Sequence, residues 1–218
     1  MRLILASASP ARLTVLRAAG VRPVVRVSGV DEHALAAALG DASPRKLVIT
    51  LARAKADAVA AQVGDEYPEA VIVGCDSMLY MGGEVVGKPG CADVARRRWQ
   101  AMAGGTGELL TGHAIVRLHA GVAVTSASAA ETTLVHFGTP SAEEIAAYIG
   151  TGEPLKVAGG FTLDGLGGWF VEGIEGDPSS VMGISLPLTR QLLAEVGIGV
   201  IELWNGPSRL GQPAAPPG

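Results

Sequence analysis

At 218 residues, with 48% hydrophobic and 17% charged, the chain can bury a core of its own, which excludes a disordered polymer. Its net charge of -4 shows no excess of Lys and Arg, so stable nucleic-acid binding is not expected and any phosphate site must be local. Two cysteines, Cys75 and Cys91, exclude a disulfide framework and a four-cysteine zinc site. No apolar run is long enough to cross a bilayer, which argues against a membrane protein. The short apolar start is followed at once by Pro10 and Arg12, unlike a signal peptide, so a cytoplasmic location is expected.

In chain order, strands and helices alternate. Arg2 to Ala6 reads as a strand, and Pro10 to Ala19 as a helix with Ser9 as N-cap, Pro10 at its first position and Gly20 at its close. Pro23 to Val27 is a second strand. Asp31-Glu32 reads by itself as an exposed acidic turn. Ser43-Pro44 opens a long helix to about Val63, with Leu47, Leu51, Ala54 and Ala58 predicted on its apolar face and Lys55 away from Arg53 and Asp57. Ala70 to Cys75 is apolar enough for a strand buried on both faces, and it delivers Asp76 at its end.

Met78 to Val86 then predicts a hairpin turning at Gly82-Gly83, Asp93 to Met102 a charged helix, and Leu109 to Leu134 a long hairpin turning at Ala120-Gly121. Ser141 with Glu144 three residues on is the reciprocal capping pattern of a helix start. From Gly150 to Gly183 glycine recurs every few residues, as tight turns between short strands or as close approach to a ligand or another chain segment. Pro187 to Val196 is a last helix. No linker divides the chain, so residues 1–204 are expected to form one domain and residues 205–218, rich in Pro, Gly and Ala, a disordered tail.

Two segments carry the chemistry: Leu5-Ala-Ser-Ala-Ser-Pro-Ala-Arg12, a strand running into a Ser-rich helix entry, and Gly74-Cys-Asp76 ahead of Gly87-Lys-Pro89. With Glu32, Lys55 and Lys88 they offer hydroxyl and amide donors, cations for phosphate oxygens, and carboxylates for a metal or a water. Gly82-Gly-Glu-Val-Val-Gly-Lys88 matches the spacing of a phosphate-binding loop, but Pro89 stands where a Ser or Thr must hold magnesium, so only Lys88 survives as a single cation. Asp76 has no second carboxylate two residues on, which argues against a phospho-aspartate. His33, His113, His119 and His136 lack zinc-ligand spacing.

Taken in order, Leu5-Ala-Ser-x-Ser-Pro-x-Arg12, Asp31-Glu32, Leu51-Ala-Arg-x-Lys-Ala56, Gly74-x-Asp76, Gly87-Lys-Pro89, Pro140-Ser-x-Glu-Glu-Ile145, Thr151-Gly-Glu-Pro154, Ala158-Gly159 and Gly165-Leu-Gly-Gly168 resemble the Maf family over residues 3 to 196. The resemblance implies an α/β fold similar to inosine triphosphate pyrophosphatases, with a mixed central sheet, flanking helices and two lobes around a cleft. It implies hydrolysis of a nucleoside triphosphate substrate to the monophosphate and pyrophosphate with a divalent metal, Mg or Mn, in house-cleaning or restraint of division. Asp76 would activate the water, Glu32 and Asp76 would hold the metal, Arg12, Lys55 and Lys88 would bind the triphosphate, and Ser7 and Ser9 would cap its oxygens. A homodimer is compatible with it. A nucleotide-binding regulator of division without turnover is the alternative, against which the retention of Glu32, Asp76 and both lysines argues.

The chain departs from the family pattern at informative places. Ala11, Ser77 and Asp164 occupy the positions that sort substrates in the family, and match neither the dTTP and UTP branch nor the 7-methyl-GTP branch in full. Asp164 leans toward the second, so a guanine-type base is expected. Val157 replaces a usual Lys, beside Lys156, and Gly107 a frequent His.

Overall fold

The computed structural model describes residues 1–204. The predicted tail lies outside the described residues. Strand β1 (Arg2–Leu5) pairs in parallel with β2 (Val24–Val25) and with β3 (Ala70–Met81). Then β3 pairs antiparallel with β4 (Glu84–Val86) and with β5 (Thr106–His119), β5 with β6 (Val122–Phe137), and β6 with β7 (Val171–Glu175). This is a mixed sheet in the order β2-β1-β3-β5-β6-β7, with β4 beside β3.

Helices α1 (Pro10–Ala18), α2 (Glu32–Leu39), α3 (Pro44–Val63), α4 (Ala92–Met102), α5 (Ala142–Gly150), α6 (Pro178–Val181) and α7 (Leu186–Glu195) complete the fold. Local signals act as predicted at several ends: Ser9 caps α1, and Ser141 and Glu144 cap each other's amides at the start of α5. Both hairpins turn where expected. Ala120 and Gly121 take φ of 50° and 79°, the left-handed pair that matches the twist of two-residue hairpins.

Three predictions are corrected. The strand carrying Asp76 does not end there but runs to Met81, because the hairpin arm Met78–Met81 continues it and Asp76 pairs with Gly112 on β5. The acidic turn is the start of α2: the Asp31 carboxylate accepts from the Ala34 amide at 2.9 Å, leaving Glu32 at the first helical position. The buried stripe of α3 is Val48, Leu51, Ala52, Lys55, Ala56, Val59, Ala60 and Val63, so Leu47, Ala54 and Ala58 stand to its side. The Gly-rich third, by contrast, is a series of 3-10 turns, Glu153–Lys156, Ala158–Gly160 and Leu166–Phe170, leading into the short strand β7, in line with the reading as tight turns between short strands.

Alternation along the strands divides the core. Leu3, Leu5, Val71, Val73, Cys75 and Ile115 face α1 and α7, whereas Ile4, Ala6, Ala70, Ile72, Ala114 and Val116 face α3. Further along the same long strands, Leu79, Leu109, Val135 and Phe137 join Trp99 of α4 and Tyr148 of α5 in another apolar cluster. Trp99 is fully buried, makes edge contacts with Phe137, Tyr148 and Phe170, and donates from its indole to the Gly160 carbonyl at 2.9 Å. The sheet thus carries an apolar cluster on each face and a further one along its long strands, and β3, which bears Asp76, contributes to all three.

His113 of β5 is fully buried and latches α7 to the sheet. The Ser185 amide donates to Nε2 at 2.8 Å, so the ring proton sits on Nδ1 and is donated to the Thr111 carbonyl at 2.9 Å. Burial, with Arg12 adding to it, pushes His113 down to about 4, against the Thr111 carbonyl and Asp177, which favour the charged ring. Because the folded value lies below the unfolded one, the latch stabilises fully above about pH 6.5 and its contribution is lost as pH falls toward 4, by up to about 1.4 kcal/mol per unit. Urea denaturation between pH 7 and pH 4.5 should show this decline, and His113→Gln should flatten it. An identical slope in both proteins would assign the decline to other groups.

Candidate active site

The backbone of α3 lies against β3 and β5 at contact distance. A Cβ on Gly74 would run into the Ala52 carbonyl and the Ala56 amide, and one on Gly112 into the Val48 carbonyl, so glycine at both is required for the helix to seat. Ala52 and Ala56, both fully buried, complete the close fit. Lys55 lies on the same stripe, so the helix carries it down onto the sheet.

There Lys55 Nζ meets Asp76 Oδ1 at 2.6 Å and Glu32 Oε1 at 2.9 Å. The lysine and Asp76 side chains are each 8% exposed, whereas Glu32, at the head of α2, is 49% exposed. One ammonium therefore bridges a buried and an exposed carboxylate. Burial raises the Asp76 carboxyl above the ordinary aspartate range, while Lys55 and then Arg12 work against the rise and Glu32 adds to it.

Ser77, one residue on, faces the other side of the sheet. Its hydroxyl accepts from Arg12 Nη2 at 3.1 Å and lies 3.0 Å from Thr111 Oγ1. Arg12 also donates to Ser7 Oγ at 3.0 Å and to the Gly183 carbonyl at 2.7 Å, and Ser7 Oγ accepts from the Ser9 amide at 3.1 Å. The first strand and its Ser-rich turn are so joined to β3 and to the segment between α6 and α7.

The structure thus gathers Glu32, Lys55 and Asp76 into one cluster and Ser7, Ser9, Arg12 and Ser77 into another beside it. Lys88, on the stretch between β4 and α4, and Asp164, in the Gly-rich segment, are exposed and make no hydrogen bond or ion pair with either cluster; Ala11 is half-buried in the first turn of α1. The loop that carries Asp164 is tied down by Glu153, whose carboxylate accepts from Tyr148 at 3.1 Å, Thr162 at 2.5 Å and the amides of Leu166 and Gly167. Burial opposes ionisation of Glu153, but these four donors outweigh it and hold the carboxyl below its ordinary value. Glu153 had a visible signal in Thr151-Gly-Glu-Pro154, whereas Thr111 and His113, alternate residues of an apolar strand, had none. At Gly107, where the resemblance implies a frequent histidine, a Cβ would stand 2.8 Å from Leu79 Cδ1, so a side chain there requires this leucine to shift.

Among the described residues no group of three or more His, Cys, Asp and Glu side chains is placed to hold a metal, and no helix is long and apolar enough to cross a membrane. The α/β fold thus sets a buried lysine shared by two carboxylates next to a Ser-capped helix entry. Residues 2–196 match the family described as Maf-like protein, and the chain belongs to that family. It is 61% identical over 208 residues to a nucleoside triphosphate pyrophosphatase of Saccharopolyspora erythraea, an alignment covering 95% of this chain and 99% of the relative. It is 60% identical over 208 residues to one of Nocardia farcinica, covering 95% and 98%, and 53% identical over 208 residues to one of Mycobacterium marinum, covering 93% and 96%.

Replacing Gly74 with Ala tests the seating of α3. The added methyl must push the helix from the sheet, so Gly74→Ala should destabilise the fold by about 1 to 3 kcal/mol and draw Lys55 away from Asp76. Denaturation and an ion-pair readout from lysine NMR check the two effects; an unshifted lysine signal would contradict the second.

Proposed function

We propose that the protein hydrolyses a nucleoside triphosphate to the monophosphate and pyrophosphate, assisted by Mg or Mn. The observation that carries this reading is the Lys55 bridge between Asp76 and Glu32, in a chain whose relatives bear the name nucleoside triphosphate pyrophosphatase. Two carboxylates are too few for an all-protein cage, but with substrate phosphates they suit a hard cation that keeps several waters. Glu32 and Asp76 would hold it, and when bound it would offset charge building on the phosphates.

Asp76, anchored mid-strand, orients the attacking water and takes its proton. Lys55, already at the site, and Lys88, exposed at the surface, neutralise the triphosphate as the pyrophosphate leaves. Ser7 and Ser9 cap its oxygens at the entry of α1. Such hydrolysis serves the house-cleaning or division-restraining role that the family resemblance implies.

Chromatography of the products should show monophosphate and pyrophosphate, and accumulation of the diphosphate would refute the mechanism. In the same assay Asp76→Asn, which keeps the size but neither the charge nor the proton affinity, should lower kcat by about 10² to 10⁴. Retention of near wild-type kcat at saturating metal would remove Asp76 from the reaction.

Base choice rests on Asp164, presented on the loop that Glu153 anchors. An ionised carboxylate only accepts hydrogen bonds, and guanine offers N1–H and its amino group, while uracil and thymine set carbonyl oxygens against it. Ala11 leaves space for a purine. Asp164→Gln should therefore shift kcat/KM toward UTP or dTTP relative to GTP and 7-methyl-GTP, by about 10²-fold. An unchanged ranking would show that Asp164 does not read the base.

A further inference from the structure

The side chains of Asp76 and Ser77 project to opposite faces of β3, the first toward Lys55 of α3 and the second toward Arg12 of α1. A guanidinium has five N–H donors, and Arg12, 9% exposed, directs donors from all three of its nitrogens at protein acceptors. The polarity of the bonds beyond Ser77 follows by elimination. Thr111 has one hydroxyl proton, and the Ser180 carbonyl 3.1 Å away can only accept it. The Ser77 proton must then go to Thr111 Oγ1, which leaves the Ser77 oxygen to receive Arg12. A one-way chain thus runs from Arg12 through Ser77 and Thr111 to Ser180. Its arginine end also grips Gly183, where φ is 105° and a Cβ would stand 3.2 Å from Arg12 Nε. Bonds polarised in one direction strengthen one another, so the loss of a middle member is felt at both ends.

We propose that Arg12 is a positioning residue, locking Ser77 and with it the backbone that carries Asp76, in place of the triphosphate contact implied by the family resemblance. The inference deepens the proposed function and rests on Asp76 being the reacting carboxylate. In it the segment between α6 and α7, more than 100 residues from Asp76 in the chain, sets the geometry of the reacting strand.

Thr111 supplies the discriminating test, because it is fully buried and its hydroxyl meets Ser77 and the Ser180 carbonyl. Arg12→Lys, Thr111→Val and Thr111→Ser are compared with wild type in kcat, KM and the inhibition constant of inorganic pyrophosphate. Arg12→Lys and Thr111→Val should lower kcat about tenfold or more while KM and the pyrophosphate constant stay within about threefold, and Thr111→Ser should restore kcat. A phosphate contact would give the reverse for Arg12→Lys: kcat kept, with KM and the pyrophosphate constant raised about tenfold. That result, or wild-type turnover by Thr111→Val, overturns the proposal. Should Arg12→Lys fail to fold, the Thr111 pair decides alone. If wild type turns over no nucleotide, the reading of the site fails by itself, and amide exchange over residues 75–79 still decides: faster in Thr111→Val than in Thr111→Ser supports the chain, equal rates overturn it.

Discussion

The close seating of α3 on the sheet is the constraint on which the rest depends. A helix normally stands off a sheet by the length of its side chains, but Gly74 and Gly112 below and Ala52 and Ala56 above remove them. The gain is reach. Lys55, one position from Ala56, meets Asp76 directly, in a place where an ordinary core residue would be found. Dispersion contacts from Val48, Leu51, Val59 and Val63 along the same stripe hold the helix there, so apolar packing and the charged site share one surface.

A buried ion pair is weak evidence for stability, since desolvating both charges can cancel their attraction, yet removing one partner typically costs about 3 to 5 kcal/mol. Lys55 and Asp76 therefore constrain each other. Glu32 gives the lysine a second, exposed partner, and places the cluster at the boundary between core and solvent. Such an arrangement is organised before a ligand arrives, the condition under which electrostatic stabilisation of a reaction is most effective.

Strand β3 serves two faces at once. Its even-numbered residues from Ala70 to Asp76 look toward α3, and its odd-numbered ones from Val71 to Ser77 look toward α1 and α7. The strand then continues into the lobe built around Trp99, whose indole bond to Gly160 joins that core to the Gly-rich segment. Glu153 holds the next part of the segment by four hydrogen bonds. Residues far apart in sequence are so referred to one strand.

Features governed by neighbours in the chain were legible in the sequence: the Ser9-Pro10 and Ser141–Glu144 helix starts, the two hairpin turns, the buried strand before Asp76, and the ordered motifs that mark the family. Each depends on contacts within a few residues, where side-chain identity alone sets the energy. The α2 cap at Asp31 was of this kind too, and was missed because an acidic pair before an Ala-rich run reads equally well as a turn. What tertiary structure decided was direction. In an Ala-rich helix such as α3 several faces are nearly equal in apolar content, and only the glycines of β3 and β5, distant in sequence, select the face that buries Lys55. The same holds for Thr111 and His113, which are ordinary strand residues until pairing sets them opposite Ser77 and Cys75. A sequence pattern specifies which groups are available; the pairing register and the seating of a helix, set by contacts across the whole fold, determine which of them meet.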